Sequence, residues 1–145
     1  MPTIDRATMV LRIHRHAQVE RVNLTATSDT RIQMKEEDRV IYEYRAYEAN
    51  PGKLADLQAR FRNHTMKIFE RHGMKNVAYW TVEGETDRLD YVLAFEDADQ
   101  MKRAWAAFNQ DPEWQRVRSE SEVNGKLVGN VASTTLTPTD FSPLQ

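Results

Sequence analysis

The 145-residue chain contains no cysteine. Disulfides, thiolate nucleophiles and cysteine-ligated zinc or iron–sulfur centres are thereby excluded, which leaves His, carboxylates, Arg and Tyr to carry any chemistry. No apolar run approaches the roughly 20 residues that a membrane-spanning helix needs. No charged segment leading into an apolar one opens the chain either, so the expectation is a cytoplasmic protein without a membrane span. A basic excess is missing as well: 20 Lys and Arg stand against 22 Asp and Glu, a formal net charge of −2. That balance argues against a nucleic-acid partner. There is no Gly-rich phosphate loop, no serine-centred elbow and no paired-carboxylate motif. His14 and His16 of "HRH" would point the same way from a strand, but no third ligand stands near them at a telling spacing, so no metal is expected.

What is present fits one domain with one core, as a chain of this length is expected to build. Residues 1–38 differ from the rest. Their basic groups are mostly Arg, their apolar residues are scattered, and "RVNLTAT" alternates Val22, Leu24 and Ala26 against polar neighbours. They read as an N-terminal extension, an arm or hairpin, ahead of a domain over 39–145.

From Val40 the pattern is regular. "VIYEYRAYE" is rich in β-branched and aromatic residues and predicts a strand. Asn50 and Pro51 predict an N-cap and first helical position, and Gly73 in "HGM" predicts the stop. "NVAYWTVE" and "LDYVLAFE", separated by "GETDR", predict a hairpin. A second helix follows from Asp97 with the stripe Met101, Ala104, Trp105 and Phe108; Asp111 and Pro112 open a third, and "LVGNVASTTLTP" predicts the last strand. The order is β-α-β-β-α-β, an α+β ferredoxin-like arrangement of a four-stranded antiparallel sheet with helices on one face. Its strands are apolar on both sides, where a solvated face should be polar. A second copy of the chain, joined sheet to sheet, is the simplest cover, so a homodimer is expected, with the N-terminal arm as the competing cover although it offers few large apolar side chains.

Two groups of residues attract attention. Along the first helix Leu54, Leu57, Phe61, His64 and Ile68 follow the three-and-four spacing of one buried face. His64 there is either a general acid or base reaching a cavity, or a core histidine bonded to Glu43 or a tyrosine hydroxyl. On the first strand Glu43, Arg45 and Tyr47 share a face. Arg45 could fix a carboxylate or enolate with Glu43 orienting it, or the two could be a simple ion pair. A register slip of one residue would exchange them for Tyr42, Tyr44 and Ala46. Tyr42, Tyr44, Tyr79, Trp80 and Tyr91 suit either an aromatic pocket for a planar ligand or core packing. His72 beside Gly73 suits the negative end of a helix, and Trp114 an anchoring role for the short helix.

The segments "IYEYRAYEANPGKL", "FRNHTMKIFERHGMKNVAYW", "DPEWQ" and "LTPTDFSPL" resemble the NIPSNAP family of the dimeric α+β barrel superfamily, in order over residues 40–144. The resemblance implies two ferredoxin-like sheets pairing as a barrel. It also implies a cofactor-independent small-molecule enzyme of isomerase, cyclase, lyase or monooxygenase type, with a small organic molecule held between helix one and the sheet. His64, Arg45 and Glu43 would be its catalytic groups, and Tyr44, Tyr47, Tyr79, Trp80 and Tyr91 its substrate-binding walls. On the third strand, where relatives are expected to carry a His and a Trp, this chain has Tyr91 and Leu93. The alternative is a non-catalytic ligand-binding or interaction homodimer in which His64 is structural.

Overall fold

The computed structural model describes residues 39–145. The expectations for residues 1–38, including the extended arm and the His14–His16 pair, lie outside the described residues. Strands β1 (Ile41–Ala49), β2 (Lys75–Thr81), β3 (Arg88–Phe95) and β4 (Val128–Leu136) form one sheet in the order β2-β3-β1-β4. All three pairings are antiparallel. Helix α1 spans 54–71, α2 is Ala98–Gln110 and α3 is Pro112–Ser121. This is the expected α+β ferredoxin-like order, with α3 added inside the second crossover. No helix among the described residues is long and apolar enough to cross a membrane.

Side-chain alternation sorts the sheet into two faces. Ile41 and Ala49 of β1, with Leu89, Tyr91, Leu93 and Phe95 of β3, pack against Leu57, Phe61, Ile68 and Phe69 of α1 and Ala104 and Phe108 of α2. Each Leu or Phe buried there contributes about 1.5–3 kcal/mol. Glu43, Arg45 and Tyr47 fall on this helix-covered face, which settles the register of β1: Arg45 pairs with Tyr91 and Ser133. The opposite face carries Tyr42, Tyr44, Val92, Ala94 and Trp80. Tyr44 Oη donates to Asp90 Oδ2 at 2.5 Å, and Arg88 Nε donates to Asp90 Oδ1 at 2.8 Å. Burial acts to raise the Asp90 pKa, but Arg88 and Tyr44 outweigh it and hold the carboxyl below its usual range. Tyr42 Oη donates to the Gln145 carbonyl at 3.2 Å, so the end of the tail meets this same face.

Two local expectations need correction, both in α1. Asn50 is not the helix cap. The helix opens at Leu54 after Lys53, without a side-chain cap, because Asn50–Lys53 is a turn closed by Lys53 N–H to the Asn50 carbonyl at 2.9 Å. Gly52 supplies the left-handed residue of that turn at φ +75°. The Asn50 side chain donates instead to the Lys126 carbonyl at 2.8 Å, tying the turn to the entry of β4.

The second correction concerns the buried stripe. Helix α1 is α-helical over Leu54–Arg60 and Met66–Arg71 but makes a π turn at Phe61–Thr65. Met66 N–H returns to the Phe61 carbonyl, five residues back, and Thr65 Oγ1 donates to the Arg60 carbonyl at 3.3 Å. The wider turn rotates the following residues relative to a regular helix. Arg60, Phe61 and Thr65 are buried and His64 is exposed.

The C-terminus of α1 and the N-terminus of α3 are held as the sequence suggests. Gly73 at φ +76° stops α1. Gly73 N–H bonds the Glu70 carbonyl and Met74 N–H the Phe69 carbonyl, both at 3.0 Å, a Schellman pair. Asp111 caps α3 by accepting from Glu113 N–H at 2.8 Å and Trp114 N–H at 3.2 Å. It also accepts from Arg71 at 2.8 Å and lies 2.6 Å from His72 Nε2. One carboxylate thus joins the end of α1 to the start of α3. The Arg71 hydrogen bond, helped by His72 and the cap, outweighs burial and holds Asp111 well below the usual carboxylate range.

Candidate functional site

A cavity of about 450 Å³ lined by buried charge lies between the helices and the β1–β4 half of the sheet. β1 contributes Arg45 and Tyr47, α1 contributes Arg60 and Phe61, and α2 and α3 contribute Trp105, Phe108 and Trp114. Arg118, Glu122 and Lys126 stand at its mouth. Aromatic walls with a few fixed polar groups are the usual make-up of a small-molecule site.

Arg45 is fixed from three sides. Its Nη1 donates to Glu43 Oε1 at 2.7 Å, its Nη2 donates to Tyr47 Oη at 3.4 Å, and its guanidinium carbon sits 4.4 Å from the centroid of Trp105. Its Nε–H is buried and has no acceptor among the described residues. Burial acts to lower the Arg45 pKa, yet Tyr91, Tyr47 and Glu43 outweigh it, so the group is a permanent cation.

Glu43 is only 4% exposed and fully engaged. Besides Arg45, Ser133 Oγ donates to Oε1 at 2.6 Å and Trp105 Nε1 donates to Oε2 at 2.6 Å. A carboxylate that accepts from three donors is a positioning group, because its lone pairs are already engaged in holding Arg45, Ser133 and Trp105. Tyr91, fully buried, packs edge-on to Tyr47 with ring centroids 5.2 Å apart. Its hydroxyl has no partner among the described residues. Burial, with Tyr47 beside it, pushes the Tyr91 phenol well above its usual pKa and keeps it protonated, although Arg45 acts the other way.

The other predicted site residues are dispersed. Tyr79 stacks on Tyr91 at 5.2 Å from the helix-covered face, with its hydroxyl on Asn76 Oδ1 and its pKa raised by burial. Tyr44 and Trp80 lie on the opposite face of the sheet, away from Arg45. His64 lines a separate groove between α1 and α3, beside Asp56, Asn63 and Glu120. The structure therefore groups Arg45, Glu43 and Tyr47, with Tyr91 behind them, and leaves His64 outside.

Two residues of the site escaped the sequence reading. Arg60, 6% exposed, donates through Nη1 to Ser121 Oγ at 3.2 Å and to Glu122 Oε1 at 3.1 Å. Trp114, read as an anchor, is a cavity wall with Arg60 5.1 Å from its ring centroid. Position 60 is three residues after Leu57, so the helical spacing already placed it on the apolar face.

Comparison with known proteins gives a consistent family signal. The NIPSNAP family model matches residues 42–143, more than half of the chain. A NIPSNAP family protein of unknown function from Agrobacterium tumefaciens is 21% identical with a TM-score of 0.66, over 74% of this chain and 96% of that one. A NIPSNAP-like domain protein from Burkholderia xenovorans is 22% identical with a TM-score of 0.64, over 73% and 90%. A candidate antibiotic biosynthesis monooxygenase from Chloroflexus aurantiacus shares the fold at 13% identity and a TM-score of 0.52, over 73% and 99%. No curated protein matches the chain.

Proposed function

The chain belongs to the NIPSNAP family, and on that premise we propose that it is a small-molecule enzyme moving a proton on a substrate held in the helix–sheet cavity, without a cofactor. The observation that supports this reading is the fixation of Arg45. A permanent cation is braced by Glu43, stacked on Trp105 and has a buried Nε–H without an acceptor among the described residues, at the wall of the cavity. Such a group favours a substrate as its carbonyl gains enolate charge, and it needs no rearrangement as the charge develops. The Tyr47 hydroxyl, which accepts from Arg45, is the adjacent donor able to hydrogen-bond the enolate oxygen, with water entering at the cavity mouth as acceptor of the α-proton. An enolate stabilised in this way serves isomerase, cyclase, lyase or monooxygenase chemistry alike.

A second reading has its own support: a ligand-binding protein without catalysis. Glu43 is saturated with donors and His64 stands outside the cavity, so two of the expected acid–base groups are not free to act there. Incubation with a panel of enolisable ketones in D2O, followed by proton NMR, separates the readings. Loss of the α-proton signal that disappears in Arg45→Gln is the expected result. Binding seen by saturation transfer without exchange favours the second reading, and absence of both overturns the two together.

We also propose that the face of the sheet opposite the helices pairs with a second copy of the chain. Val92, Ala94, Ala78 and Ala132 give that face an apolar centre, and Trp80 and Leu136 stand 51% and 45% exposed. Flat apolar surface of this kind is a normal mark of an interface.

A further inference from the structure

We infer that the substrate of this cavity is a planar, conjugated organic acid whose carboxylate seats on Arg60, with its reacting end toward Arg45. The inference rests on reading the cavity as a substrate site and adds the substrate class.

Charge is the first argument. Arg45, Arg60, Arg118 and Lys126 line the cavity, against Glu122 within it and Glu43 behind Arg45. Four cations face two carboxylates, so the site carries a surplus of positive charge. Glu122 is moreover shared, since its Oε1 meets Arg60 at 3.1 Å and its Oε2 meets Arg118 at 3.5 Å. A guanidinium that is 94% buried and has only half of a carboxylate is under-compensated, because burying a charge is costly unless it is fully paired. An anion in the cavity would complete the pairing.

Donor accounting is the second. Arg60 engages Glu122 and Ser121 through Nη1 alone, and its buried Nε–H has no acceptor among the described residues. The Nε edge of a guanidinium is one of the two forks that match a carboxylate in bidentate fashion. A buried donor without a partner calls for a bound group, and a small side-chain shift toward a carboxylate would satisfy it. Arg45 Nε–H is in the same condition at the same cavity.

Shape is the third. Between the two arginines runs a continuous aromatic wall. Arg45 lies over Trp105, Trp105 meets Phe108 at 5.6 Å, Phe108 meets Trp114 at 4.7 Å, and Trp114 carries Arg60. A flat unsaturated body between a carboxylate and an enolisable or phenolic end matches that order of groups.

The test uses benzoate, cinnamate and 2-naphthoate, each with its uncharged amide, titrated against the full chain in a Trp80→Phe background. The chain has three tryptophans, so the remaining fluorescence comes from the cavity residues Trp105 and Trp114. At least one acid is expected to bind ten-fold or more tightly than its amide. Arg60→Gln should erase that preference, and Arg60→Lys should restore it in part. The acid–amide comparison on Arg60-intact protein needs no Arg60 variant, so it stands even if Arg60→Gln fails to fold. Equal affinity for acids and amides would overturn the inference and leave the cavity reading standing. An acid preference that survives in both Arg60 variants would overturn the seat on Arg60. Absence of any quenching by acids or amides would count against the inference, and the deuterium-exchange experiment would then decide the cavity reading by itself.

Discussion

The Arg45 guanidinium lies 4.4 Å from the centroid of the Trp105 ring, and the indole N–H of that same ring donates to Glu43, the carboxylate that Arg45 also binds. The three side chains close a triangle across the layer between β1 and α2. The cation cannot turn without losing its ion pair or its aromatic platform, and the carboxylate holds both partners at once. A half-buried arginine is thereby given one orientation, which is the condition for electrostatic stabilisation of a substrate charge.

Breaking this triangle at Glu43 should therefore cost both stability and the site. Glu43→Gln leaves a buried guanidinium without its counter-charge, and removal of one partner of a buried pair typically costs about 3–5 kcal/mol. The expected result is a urea midpoint lowered to match, with Arg45→Gln/Glu43→Gln together less damaging than the sum of the singles. A strictly additive double-mutant cycle would show that the pair is not coupled.

His64→Gln, by contrast, should change little. The side chain is exposed and outside the cavity, and surface substitutions of this kind stay within about 0.5 kcal/mol. An unchanged melting temperature and unchanged exchange of enolisable substrates are expected. A loss of exchange at intact stability would return His64 to the mechanism.

These two outcomes mark what the sequence could and could not disclose. The pairing of Glu43, Arg45 and Tyr47 on one face followed from strand alternation, and the hairpin and the order of elements followed from β-branched and aromatic runs between turn residues. The position of His64 did not. A π turn inserts one residue into the helical ladder without a Pro or Gly to announce it, so the three-and-four count runs through it with no visible break. Trp114 illustrates a different limit. Its place after Pro112 identifies it as part of a helix start, but whether that helix start faces solvent or a cavity depends on Arg60, which lies 54 positions earlier in the chain.

Acid should act on the fold through Asp111. Its pKa is depressed in the folded state, chiefly by the Arg71 hydrogen bond, so the folded state holds fewer protons than the unfolded one at mildly acidic pH. The corresponding stability is fully present above the unfolded value of about 4 and is lost as pH falls below it. Asp111→Asn should flatten this acid limb, and loss of the charged cap should cost about 0.5–2 kcal/mol at neutral pH. Thermal melts of both proteins from pH 7 down to 3 test this, and parallel curves would exclude Asp111 as the source.

The proposed pairing of the sheets predicts a concentration-dependent assembly. Trp80→Glu together with Leu136→Glu places charge on the apolar face, while neither residue contributes to the helix-side core. Sedimentation equilibrium should give twice the chain mass for the unaltered protein and one chain mass for the double variant, with the helical circular-dichroism signal kept. A monomeric unaltered protein would leave that face in need of a different cover.

The π turn itself supplies the most demanding prediction. Asn63 is exposed, so deleting it removes no buried side chain and leaves the backbone free to close the turn as regular α-helix. In a regular helix each residue adds about 100° of rotation, so the two halves of α1 can no longer present their present faces together. Leu57 and Arg60 lie before the deleted position and Ile68 and Phe69 after it, and all four are now buried on the same side. If Ile68 and Phe69 keep the core, Arg60 must swing away from Trp114 and Glu122. The expected signature is a helical far-UV spectrum close to that of the unaltered chain, a lowered melting temperature, and loss of the acid preference in the tryptophan titration. Retention of that preference at full strength would mean that Arg60 reaches the cavity without the inserted residue, and the π turn would then have no part in building the site.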